Sequence, residues 1–155
     1  MIGIEQVGHA LNHVLGNTCR MARTAKSYEW NARGPGCMMA AAQFRSQAEE
    51  MHGAIEPIAS HIMGLGLPAI LDYTDQVVAL NPPTVDAIPS LIEMVREMAS
   101  GHKQSGLSVL AVLDVASEAG EFATITLMSQ RIDAHRRHRS DLERLSESLG
   151  APGEA

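Results

Sequence analysis

Three residues in the middle of the chain have the types and spacing for metal chemistry: Glu49, His52 and Glu56. Carboxylates and imidazoles bind transition metals and can leave positions open for oxygen. At 100° per residue, residues 49, 52 and 56 fall on one stripe of a helix, and Arg45 falls on the same stripe. Glu49 and His52 form an acid-x-x-His pair, which holds either a metal ion or only a hydrogen-bonded ion pair. His135 and His138, with Asp133, form a second candidate, at a spacing not specific for metal. Glu118 and Glu121 stand at a helix junction, where acids also suit the positive end of a helix dipole. The sequence holds no nucleophile elbow, no phosphate-binding glycine loop and no cysteine pair at metal-ligand spacing.

The elements that position these residues are helical. Ile4, Val7, Leu11, Val14, Thr18, Met21, Ala25 and Tyr28 recur at spacings of three and four, which predicts a first helix over about 3–30. The turn Asn31-Ala32-Arg33-Gly34-Pro35-Gly36 breaks it. Met39, Phe44, Ala48, Met51, Ile55, Ile58 and Ile62 predict a second helix over about 37–63. Pro57 lies inside it and predicts a kink or two abutting helices. A short helix is expected over about 69–78, and a third long helix from just after Thr84 to the stop at Ala119-Gly120. The last helix is expected over about 121–147, with a disordered tail over 150–155. His102 and His135 fall on apolar stripes, as core histidines with one satisfied nitrogen would. His9, His13 and His61 read as surface or interface residues. Four long helices with one long connection between the second and third predict an all-α four-helix bundle with a crossover.

Bulk composition agrees. The 155 residues are 45% hydrophobic and only 3% aromatic, with nine methionines, a mix that favours helices. One domain over 1–149 is expected. No window nears 18 uncharged apolar residues, so no membrane span is expected. The first residues lack a basic region leading into a long apolar core, so no secretory leader is expected. Cys19 and Cys37 read as reduced thiols of a cytoplasmic protein. A net charge of −6 argues against nucleic-acid binding through global electrostatics. Arg131, Arg136, Arg137, Arg139 and Arg144 crowd one late segment, which reads as a solvated face balanced by Asp133, Asp141, Glu143 and Glu147.

The order Glu29-Trp30-Asn31, Arg33-Gly34 and then a long helix resembles the miniferritins, the DNA-binding proteins from starved cells (Dps). These carry His-Trp-Asn at the end of the first helix, followed by Arg-Gly. Glu118-Ala119-Gly120-Glu121, Ala123-Thr124 and His135 resemble that family's entry into its fourth helix. The resemblance implies a ferritin-like bundle whose crossover carries a short helix. It also implies a homo-oligomer built from dimers, a hollow dodecamer, with an iron-oxidising site between subunits. Placed through Trp30, the family's five ligand positions fall on Glu29, Ala41, Arg45, Glu56 and Ser60. Glu29 and Glu56 remain capable ligands, and Arg45 carries a permanent charge.

A guanidinium about 4 Å from a divalent cation costs on the order of 8 kcal/mol at an effective dielectric of 20. Arg45 is therefore expected to form a charge-assisted pair between Glu29 and the Glu56 position across the dimer, replacing the metal. In the family these positions meet across a two-fold axis near residue 50.5 of this numbering, so Glu49 is expected to face His52 of the other copy. Met51 lies at the same dyad; it reads as core filler, with haem ligation of the kind bacterioferritins make through a methionine pair as the lesser reading. The corner at Glu118 and Glu121 lines the cage's three-fold pores in the family, where carboxylates draw in cations.

Three functions follow from the resemblance: a metal-sequestering, stress-protective cage with a degenerate site; an active ferroxidase and iron store using Glu29, Glu49, His52 and Glu56; or a nucleoid-associated shell. The family's lysine-rich DNA-binding tail has no counterpart here, since Lys26 and Lys103 are the only lysines.

Overall fold

The computed structural model describes residues 2–71 and 85–150. Four long helices account for most of them: α1 (Ile4–Asn31), α2 (Cys37–Gly64), α3 (Leu91–Ala119) and α4 (Phe122–Gly150). Among the described residues there is no strand, and no helix is long and apolar enough to cross a membrane. The helices pack as an all-α ferritin-like bundle, with α1 against α2 and α3, and α4 against α3 and α2. The ends of the core show the topology. Met21 and Ala25 near the end of α1 pack with Met94 and Met98 near the start of α3, so each adjacent pair runs antiparallel. A chain leaving α2 must therefore cross the length of the bundle to begin α3.

The boundaries follow local chemistry. Gly36 precedes α2 at φ 83°, a left-handed conformation that suits glycine. Gly120 closes α3 at φ 72° and donates its N–H to the carbonyls of Ala116 and Ser117. The third helix begins later than the sequence predicts. Val85–Ala87 form a single 3-10 turn, Pro89 follows, and Ser90 caps α3 by accepting from the Glu93 N–H. The Glu93 carboxylate returns a bond to the Ser90 N–H at 2.8 Å, completing a capping box. Proline disfavours helical angles in the residue before it, so the sequence Ile88-Pro89 delays the start. Pro57 does not divide α2 into two helices. Its ring removes the N–H that would bond Gly53, and both residues face solvent, where water can serve that carbonyl. The expected short crossover helix over 69–78 falls largely outside the described residues, as does the tail from 151 onward.

The core is two clusters rather than one. The first gathers Met21, Phe44, Met51, Met98, Leu142 and neighbours at the α1–α2 turn end. The second gathers Leu11, Ile58, Val109, Val112, Met128 and neighbours at the other end. Between them every helix buries polar side chains: Asn17 and Thr18 on α1, Gln47 on α2, His102 and Ser105 on α3, Arg131 and His135 on α4. Met51 is fully buried in the first cluster, as core filler is, and its side chain does not reach the outer face of α2 where a haem could be ligated at a dyad. Phe44 is 0% exposed and packs edge-tilted on Tyr28 at 5.7 Å. Phe44→Ala is expected to lower the unfolding free energy by about 3–5 kcal/mol, read as a shift of the chemical-denaturation midpoint at unchanged slope.

Candidate metal-binding regions

Glu29 sits near the end of α1 with its side chain 7% exposed, and two cations hold it. Arg45 Nε reaches Oε1 at 2.7 Å, and Lys26 Nζ reaches Oε2 at 2.7 Å. The hydrogen bond from Lys26, followed by that from Arg45, holds the carboxyl below the usual carboxylate range. The Glu29–Arg45 pair thus closes within one chain, before any partner is added. The pairing of Lys26 with Glu29, one turn on, is not anticipated from the sequence. The i,i+3 spacing of Lys26 and Glu29 is the signal that would have found it.

Glu49, His52 and Glu56 share the exposed side of α2. Glu49 and His52 line a largely apolar groove of about 470 Å³ between α1 and α2, together with Cys19, Arg23, Lys26 and Ile55. Both cysteines are free and half-buried. Glu118 is exposed and Glu121 half-buried at the α3–α4 corner. His9 and His13 are exposed, and His61 Nε2 bonds Thr124 Oγ1 at 2.7 Å across to α4. Among the described residues no three histidine, cysteine, aspartate or glutamate side chains are gathered to hold a metal ion.

The densest polar constellation is the layer between the two cores. Glu50 accepts from Arg131 Nη1 at 2.5 Å on one oxygen and from His138 Nε2 at 2.9 Å on the other. Burial by itself would raise the Glu50 pKa, but the bonds from His138 and Arg131 prevail and bring it to about 2. His102 Nε2 meets Gln47 Oε1 at 2.9 Å, and its Nδ1 meets His135 Nδ1 at 2.9 Å. The rings of His102 and His138 lie 5.1 Å apart. Burial, then the charges of His135, His138 and Arg131, push His102 down to about 2. Burial, then Arg131 and His138, push His135 down to about 4. Both rings are therefore neutral at physiological pH.

Di-iron bundles project four carboxylates and two histidines into the bundle core. The residues of this layer do not fit such a centre. One carboxylate is present, it is already held by two donors, and Arg131 brings a permanent charge with its side chain 6% exposed. His102 and His135 match the expectation of buried histidines, but His102 has both nitrogens engaged. The crowded late arginines also divide. Arg139 pairs with Glu143 and Arg144 with Asp141 on the solvated face, as expected, whereas Arg131 departs from that face into the core. The sequence signal was the spacing 131, 135, 138, a polar run at helical period in register with Met128 and Leu142.

Residues 8–149 match the model of the ferritin-like domain family, and the chain belongs to that family. Its fold is that of the Dps miniferritins. It superposes on Dps from Thermosynechococcus elongatus with a TM-score of 0.81 at 24% identity, over 97% of this chain and 93% of that one. For Dps from Bacillus brevis the score is 0.80 at 21% identity, over 91% and 95%. For a Bacteroides fragilis protein described as a dodecameric, bacterioferritin-related thioferritin it is 0.83 at 14%, over 96% and 88%. No curated protein matches significantly.

The depressed histidines set the acid response. An unfolded chain takes up protons at His102 and His135 below the ordinary value of 6.5, and the folded chain does so only near 2 and 4. Stability is therefore full above about pH 6.5 and falls as pH drops through the interval below it, by on the order of 1 kcal/mol per pH unit for each ring. Glu50 adds a further loss from 4.5 toward 2. Thermal melts from pH 7.5 to 5 are expected to show this decline, with a shallower slope in His135→Leu.

Proposed function

We propose that this protein is the subunit of a Dps-like homo-oligomeric cage that sequesters iron as cargo and protects the cell under stress, with its inter-subunit oxidation site rendered degenerate by Arg45. The observation that carries the reading is the intrachain Glu29–Arg45 pair at 2.7 Å, reinforced by Lys26. In the family's arrangement Glu29 and Arg45 occupy two ligand positions, and Ala41 and Ser60 occupy two more. A carboxylate neutralised by two cations has little left to offer Fe(II), and the adjoining guanidinium repels it.

Membership of the ferritin-like family and the likeness to Dps folds support the cage. The dodecamer described for the Bacteroides fragilis relative supports a shell of that size built from dimers. The absence of a membrane-crossing helix among the described residues accords with a cytoplasmic location. Glu118 and Glu121 at the exposed α3–α4 corner suit cation entry through a pore.

A second reading has its own observation. Glu49, His52 and Glu56 are all exposed on one side of α2, so a second copy packed across that face would bring Glu49 against His52 of the other copy. This would leave an active ferroxidase with displaced ligands. Oxygen consumption on adding Fe(II) to the assembled protein separates the two: slow, unsaturable uptake is expected, and rapid saturable oxidation would overturn the degenerate-site reading. In Arg45→Asp, Zn(II) or Fe(II) binding at the dimer interface is expected to tighten by about tenfold or more, equivalent to roughly 1.4 kcal/mol. Titration calorimetry and anomalous scattering from soaked crystals measure it. A salt-dependent gel shift with plasmid DNA tests the nucleoid-associated alternative, and no shift is expected at physiological salt.

A further inference from the structure

His9 and His13 stand about one turn apart on α1, on the side of the helix away from the bundle. Four residues rise about 6 Å and turn about 40° past a full circle, so the two rings leave the helix nearly in line. Helical side chains lean toward the N-terminus, which lays the His13 ring back over the turn that carries His9. Both residues are exposed, and neither has a hydrogen bond or ion pair among the described residues. Both line one groove of about 460 Å³ between α1 and the chain just after α2.

The surroundings hold the pair in place and leave room for an ion. Val7, Leu11, Val14 and Leu15, none more than 2% exposed, fasten the opposite face of α1 into the core. Asn12 accepts from the Ile70 N–H at 2.7 Å and donates to the Pro68 carbonyl at 3.0 Å, which fixes the far wall of the groove. Gly16, on the next turn, adds no side chain, and the space where its Cβ would stand is open. The charges favour a cation at the first of the two rings. Glu5 lies one turn before His9 on the same stripe and is exposed. Arg20, on that stripe at the other end, lies two turns beyond His13, about 10 Å along the axis, where salt largely screens it.

We propose that His9 and His13 together chelate a divalent transition-metal cation of the zinc type, each through one ring nitrogen, with water completing the coordination. Two histidines at this helical spacing hold zinc from one face of a helix. Imidazole suits Zn(II), Ni(II) and Cu(II), whereas Mg(II) prefers carboxylates and water. Fe(II) stands below all three in affinity for such ligands. The site is separate from the iron reading, because neither Glu29, Arg45 nor the Glu49–Glu56 stripe takes part in it. A structural zinc is closed by four protein ligands, so an ion held by two rings and water stays exchangeable.

Titration calorimetry of the assembled full-length protein with Zn(II), near pH 7.5, tests the proposal. His9→Gln and His13→Gln are each expected to weaken this binding by about tenfold or more. The two losses are expected not to add in the double variant, because both rings serve one ion. His52→Gln on α2 leaves this binding unchanged, and Mg(II) does not compete for it. Acidifying from pH 7.5 to 5.5 weakens it, since only neutral imidazole ligates. With Cu(II) as the probe, electron paramagnetic resonance is expected to show two coordinated imidazole nitrogens in the parent and one in each single variant. Circular dichroism and size exclusion confirm that the variants fold and assemble. The proposal is overturned if the folded variants bind Zn(II) like the parent, if the two losses add, or if Cu(II) in the parent shows fewer than two imidazoles.

Discussion

The carboxylate of Glu50 is held in the middle of the bundle by Arg131 on one oxygen and His138 on the other. Removing Glu50 alone would leave the enclosed Arg131 charge without its carboxylate, and such losses cost several kcal/mol. The pair also sets register. Glu50 comes from α2, and both donors come from α4, so one carboxylate fixes how those helices slide past each other. Around it His102 ties α3 to Gln47 on α2 and to His135 on α4. Asn17 Nδ2 donates to Ser108 Oγ at 3.2 Å and ties α1 to α3. A bundle with two apolar clusters could pack in several offsets. The polar layer between them accepts one.

A guanidinium is a poor substitute for a metal ion in coordination but a fair one in electrostatics. It is cationic at every usable pH and presents a planar fork of donors to a carboxylate. Among the described residues it joins one helix to a carboxylate on another twice, besides the two pairs along α4. Arg131 neutralises Glu50 inside the bundle, and Arg45 neutralises Glu29 near the end of α1. The two pairs differ in burial and hence in worth. Arg45 is 64% exposed, and its pair is screened by solvent, whereas the Arg131 side chain is almost wholly enclosed. The exposed pair therefore bears on what the surface can bind, and the enclosed pair bears on how the bundle holds together.

Much of this was legible in the sequence. Helix-period apolar positions located all four helices, and the Asn31–Gly36 and Ala119-Gly120 breaks located two of their junctions. The start of α3 was missed because an apparent stripe does not reveal that Ile88-Pro89 holds the chain out of helical angles until Ser90 caps it. The shared stripe of Glu49, His52 and Glu56 was legible, and the packing of α2 shows that it faces outward. The central layer was only glimpsed, through His102 and His135. Arg131 read as part of a solvated face, since a charged side chain is ordinarily solvated, and Gln47 and Glu50 carried no signal of their own. Only the pairing of distant helices shows that each has a partner inside.

The contrast between adjacent residues 49 and 50 shows how α2 divides its labour. Two neighbours on a helix point 100° apart, so one acid can face solvent while the next faces α4. Residues 45, 49, 52 and 56 follow the outward stripe, and 44, 47, 51 and 58 follow the inward one. A carboxylate on the first stripe remains open to ions or to a second copy of the chain. A carboxylate at the edge of the second is committed to the bundle, and its charge must be met by a side chain of this same molecule. What an acid of α2 can still meet thus depends on which stripe it occupies and whether an arginine already stands opposite it.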